Sequence, residues 1–180
     1  MHSKQWLPIL CSASIVYLGV AGPTIAAETG TTREPVTPAQ VQVITDSAIR
    51  QTIDSILDAA NNRDTEGVAG LLAPNATIEM TVDVSGNPQN FRFNRDQYRA
   101  HIQQGFGQVK TYRTGYSNVE TQIAADGKRA IATFKMTEEA TTQDRILRSV
   151  SSQTVQFELI EGQIRVTTIK GIVQFVSAQP

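Results

Sequence analysis

The sequence predicts an α+β domain in which three N-terminal helices pack on a strongly curved antiparallel sheet, forming a cone with an internal cavity. Three observations carry this. Apolar residues recur at three- and four-residue steps over Ile49–Leu72 and again over Tyr98–Val109, and at two-residue steps over Ile78–Val84 and almost everywhere after Tyr112. With 40% hydrophobic and 18% charged residues in 180, the chain suits one globular domain. A sheet built from several long strands curls, and helices laid across its hollow side close it.

The first residues stand apart from that domain. His2 and Lys4 precede an apolar run from Leu7 to Val20, followed by Gly22-Pro23 and the small residues of "TIAAE". This order is that of a secretory signal peptide, and about 14 apolar residues are short for a membrane span, which needs roughly 20. Residues 1–27 are therefore expected to be removed and the protein exported, periplasmic or secreted, with no membrane association afterwards. Residues 28–42, rich in Thr and Pro, read as a flexible leader, and residues 43–178 as the domain.

Removing residues 1–27 takes away Lys4 and no acid, which moves the net charge from −1 to −2. Basic residues are scattered among acids, unlike the concentrated positive surface that nucleic acid requires. Cys11 is the only cysteine and lies in the signal segment. The mature domain therefore has no disulfide, thiol nucleophile or thiolate metal site. One remaining histidine and no calcium-loop spacing argue against a metal. No phosphate loop or nucleophile elbow is present, and no cofactor is expected.

The first helix is expected to begin near Thr45–Ser47 and to bury Ile49, Ile53, Ile56, Leu57 and Ala60, ending at Asn61-Asn62. Asp64 or Thr65 caps a short second helix carrying Val68, Leu71 and Leu72, stopped by Pro74. From Ala76, Ile78, Met80, Val82 and Val84 alternate with polar residues as a strand. "SGNP" turns the chain into a short strand at Phe91 and Phe93. Asn94 caps a third helix with Tyr98, Ile102, Phe106 and Val109 on one side. Strands follow from Tyr112, from Ala130, over Leu147–Leu159 and over Ile164–Val176. The turns between them are "ADGK", the polar "EEATTQD", and "EGQ".

The stretch "ILDAANNRDTEGVAGLLAPNATIEM", followed by "FNRDQYRAHI" and the hairpins, resembles the nuclear-transport-factor-2-like superfamily, with its SnoaL-like and ketosteroid-isomerase-like members. The resemblance covers roughly residues 44–178. It implies the cone fold and a homodimer through the outer sheet face, but no single function: the superfamily holds isomerases, epoxide hydrolases, cyclases, transport adaptors and binding modules.

In its steroid isomerases an Asp base works with a Tyr and a protonated Asp inside the cone. The residues here that invite comparison are Asp83, Tyr98, His101, Tyr112 and Tyr116. Asp83 alternates with the apolar side of its strand and is expected to face water. His101, the only histidine of the mature chain, has no acid at a fixed spacing and reads as a helix-flank residue with one satisfied nitrogen. On the long strand, Ser149, Ser151 and Gln153 share one parity with Val155 and Phe157. If that parity faces inward, it sets a polar patch in an apolar wall, the usual makeup of a ligand pocket.

The sequence thus points to a domain that binds a small apolar molecule or a partner, without clear catalytic residues. Tyr98, His101, Tyr116, Met136, Ser151 and Gln153 are its candidate ligand contacts. Two alternatives accompany it. One is a cofactor-free isomerase or hydratase with His101 or Asp83 as base. The other is a protein-interaction module acting through the outer sheet face.

Overall fold

The computed structural model describes residues 43–84, 86–143 and 145–176; the expected signal peptide and leader lie outside them. Helix α1 spans Asp46–Asn61, with the Thr45 side chain accepting from the Ala48 amide at its start. It buries Ile49, Ile53, Leu57 and Ala60, the face the periodicity marks. Helix α2, Thr65–Gly70, is capped by Asp64, whose carboxylate accepts from the Gly67 amide.

Strand β1 spans Leu72–Val84. Pro74 therefore does not stop α2, as expected, but lies inside a strand. The ladder to its neighbour shifts register between Leu72 and Thr77, and there a residue with no N–H to donate costs no ladder bond. After β1 come β2 (Asn87–Asn94), helix α3 (Arg95–Gly107), β3 (Thr111–Ile123), β4 (Arg129–Thr141), β5 (Ile146–Ile160) and β6 (Gln163–Val176). A backbone irregularity at Asn118, with φ of 56°, accompanies a register shift between Ser117 and Glu120. Glu161 and Gly162, both at positive φ, form the tight β5–β6 turn.

The six strands form one sheet in the order β2-β1-β6-β5-β4-β3. Two expectations are corrected here. The sheet is mixed, because β6 returns between β5 and β1 and runs parallel to β1. Only two helices precede the strands. The third lies between β2 and β3 because those strands occupy opposite edges of the sheet, and the chain must cross a whole face to get from one to the other.

Helix α3 makes that crossing. Near its start Tyr98 and His101 pack on Phe93 of β2, with ring centroids 6.3 and 5.1 Å apart. At its end Phe106 meets Tyr112 of β3 edge-on at 5.5 Å. One helix of 13 residues, about 20 Å long, thus packs on β1 and β2 and ends against the start of β3. The core lies between: Ile78, Met80 and Val82 of β1, the alternate residues of β4, and Val155, Phe157 and Val173. Among the described residues no helix is long and apolar enough to cross a membrane.

Candidate functional site

Period-two alternation decides what the sheet turns toward α3. On β5 it places Ser149, Ser151 and Gln153 inward, all buried, in line with buried Val155 and Phe157. On β4 it places Phe134, Met136 and Glu138 inward, and register sets Met136 against Ser151 and Glu138 against Ser149. A buried polar stripe therefore crosses an otherwise apolar face.

Glu138 is its most unexpected member. Its carboxylate accepts from the Tyr112 hydroxyl on one oxygen and from the Ser149 hydroxyl, at 3.1 Å, on the other. Each carboxylate oxygen thus accepts from one hydroxyl donor. Farther along β5, the Gln153 amide nitrogen donates to Ser151 Oγ at 2.8 Å, while its Oε1 has no partner. Gln153 lies over Gly171 of β6, where an added Cβ would come within 2.5 Å of Met80 Sδ and 2.9 Å of the Gln153 amide. That glycine leaves the space the amide occupies.

His101 corrects the expectation of a flank residue with one satisfied nitrogen. It is 8% exposed, stacks on Phe93, and neither ring nitrogen has a hydrogen-bond partner. Burial without a compensating charge lowers its pKa from 6.5 to about 4, so the ring is neutral at physiological pH, with one N–H donor and one acceptor unmet. Native interiors leave few polar atoms unpaired, and each costs about 1–3 kcal/mol, so the three among the described residues call for an explanation.

The remaining candidates fall in different places. Tyr98 is buried beside Phe93, and Met136 is buried next to the polar stripe. Tyr116 stands opposite Met136, half-buried, with its ring edge-on to Phe134 and its hydroxyl donating to Asp54 of α1 at 2.7 Å. That bond raises the phenol's pKa and ties α1 to the sheet. Asp83 accepts from the Gly86 amide at 2.7 Å and holds the β1–β2 turn. The sequence reading missed Glu138 by assigning it to a polar connection. The signal was there: the alternation from Ala130 through Met136 runs on to Glu138 and Ala140.

Among the described residues no group of three His, Cys, Asp or Glu side chains is placed to hold a metal ion. An open groove of about 420 Å³ lies elsewhere, at the β3–β4 hairpin, between residues such as Ile123, Arg129, Ile131 and Glu158.

The family model of the SnoaL-like domain matches residues 53–166, which takes in the second half of α1, the polar stripe and His101. The chain belongs to the SnoaL-like domain family, within the nuclear-transport-factor-2-like superfamily. Solved structures agree on the fold of this SnoaL-like domain. A conserved protein from Planctomyces limnophilus superposes with a TM-score of 0.63 at 14% identity, over 73% of this chain and 97% of that one. A hexachlorocyclohexane dehydrochlorinase of LinA type 3 from Novosphingobium barchaimii gives 0.57 at 12%, over 74% and 88%. An uncharacterised protein with a cystatin-like fold from Caulobacter vibrioides gives 0.55 at 22%, over 73% and 89%. No curated protein sequence matches the chain.

Proposed function

We propose that this SnoaL-like domain is an exported binding protein whose sheet curls into a cone around a small, largely apolar molecule, and that it does no chemistry on it. The observation that carries the reading is three buried, unpaired polar atoms among the described residues: both ring nitrogens of His101 and Oε1 of Gln153. A ligand lying between α3 and the sheet supplies the partners these atoms lack, and the apolar side chains around them supply the burial. The crossing of α3 from one sheet edge to the other supports an enclosed inner face. The N-terminal segment supports export. A homodimer through the outer sheet face belongs to the same proposal, with exposed Ile131 and Ile172 on that face in its favour.

The enzymatic reading, an isomerase or hydratase, draws support from the dehydrochlorinase among the similar structures and from the buried Tyr112–Glu138 pair. It is the weaker of the two. A histidine with a pKa near 4 and no carboxylate hydrogen-bonded to it is a poor base at neutral pH. Nile red, a neutral dye that fluoresces in apolar surroundings, tests the binding reading. Saturable enhancement at one dye per chain is expected. Ser151→Met, which intrudes on the inner face, should weaken it, and Ile131→Lys on the outer face should not. Enhancement that fails to saturate, or that only Ile131→Lys removes, would overturn the proposal.

A further inference from the structure

We infer that the inner-face site selects a neutral hydrophobic molecule carrying a hydroxyl group, with Gln153 accepting that hydroxyl's hydrogen and Glu138 excluding carboxylate analogues. This rests on the binding reading above and adds the chemical class of the ligand.

The unpaired atoms define what is wanted. Gln153 Oε1 and the unprotonated nitrogen of His101 are acceptors that need a donor, and the His101 N–H is a donor that needs an acceptor. A hydrocarbon offers neither, and an ether or ketone offers no donor. A hydroxyl offers both, and only a ligand with a donor satisfies Gln153 Oε1; one hydrogen of the same amide already goes to Ser151. Leaving such an acceptor unmet on binding is what lets polar sites reject analogues that lack the matching group.

Charge decides the rest. The buried polar side chains among the described residues are Thr52, His101, Glu138, Thr142, Ser149, Ser151 and Gln153, which include one acid and no lysine or arginine. Arg50, Arg95 and Arg165, the basic side chains that are partly buried, are held by Asp46, by the Ala69 carbonyl and by the Gly70 carbonyl respectively. Ser149, Ser151 and Gln153 occupy successive inward positions about 6.6 Å apart, so Glu138, hydrogen-bonded to Ser149, is at one end of the stripe the ligand lies against. An anionic ligand would be desolvated beside a carboxylate with no buried cation to compensate. A cationic one finds Glu138 already receiving two hydroxyl donors. A neutral polar group that both donates and accepts remains, and a hydroxyl is the smallest of these.

The test compares three molecules of one skeleton, naphthalene, 2-naphthol and 2-naphthoate, by equilibrium binding to the full domain at pH 7.5. 2-Naphthol is expected to bind at least about tenfold more tightly than either of the others, the size of one satisfied hydrogen bond. Gln153→Met, close to isosteric, should bring naphthol down to naphthalene's affinity with little change in melting temperature. Glu138→Gln should raise naphthoate binding relative to naphthol. Equal binding of all three would overturn the selectivity and leave the binding reading standing. A site that takes none of them would overturn both. Should Glu138→Gln melt early, the Gln153→Met comparison decides alone: an unchanged naphthol-to-naphthalene ratio refutes the assignment.

Discussion

His101 holds more of this molecule's chemistry than any other side chain. Stacked on Phe93 and stripped of partners, it is a base kept neutral by its surroundings. An unfolded chain binds a proton at this ring near pH 6.5, whereas the folded one resists until about pH 4. Stability linked to the ring is therefore fully present above pH 6.5 and is lost as pH falls toward 4, because the unfolded state binds more protons across that window. Urea midpoints are expected to be level from pH 8 to 7 and to fall below 6.5. In His101→Leu the part of the fall between 6.5 and 5 should shrink. An identical pH profile in the variant would show that the ring is solvated. Glu138 stands at the other extreme, a buried acid given donors on both oxygens. Only its place in an unbroken alternation marks it in the sequence. His101 is harder to read, because helical spacing puts it on a boundary, and only the stacking of Phe93 from the preceding strand decides that it is inside.

At the scale of elements, α3 controls the site, because it presents His101 and joins both sheet edges. Its start is fixed by a capping box: Asn94 accepts from the Gln97 amide at 2.9 Å, and the Gln97 side chain accepts from the Asn94 amide at 3.0 Å. Asn94→Ala is expected to cost about 1 kcal/mol, read as a lower urea midpoint with the same slope. Helix α1 is held through its apolar face, and Leu57→Ala should cost about 2–5 kcal/mol by the same measurement. A loss below about 0.5 kcal/mol would mean that α1 is not packed as described. These local features were legible from residue order: Thr45, Asp64 and Asn94 are caps whose side chains must reach amides two or three positions on. Pro74 misled because proline's missing N–H ends a helix and also tolerates an irregular strand, and only the partner strand distinguishes the two cases.

For the molecule as a whole, periodicity gave helix against strand but not strand order. That β6 lies between β5 and β1, parallel to the latter, depends on contacts some ninety residues apart, to which a local pattern is blind. The same long-range closure shapes the site, since α3 must lead the chain from the β2 edge to the β3 edge, and the polar stripe of β4 and β5 is buried on the face those strands share with the core. The proposed binding role requires that inner face to receive a ligand at its unpaired atoms. The chain has two histidines, and only His101 lies in the described domain, so selective ¹⁵N labelling of histidine rings isolates the question. On saturation with 2-naphthol, the ring nitrogens of His101 are predicted to shift and to show slowed exchange of the N–H. Resonances of His101 that stay unmoved while the naphthol binds would contradict the central claim.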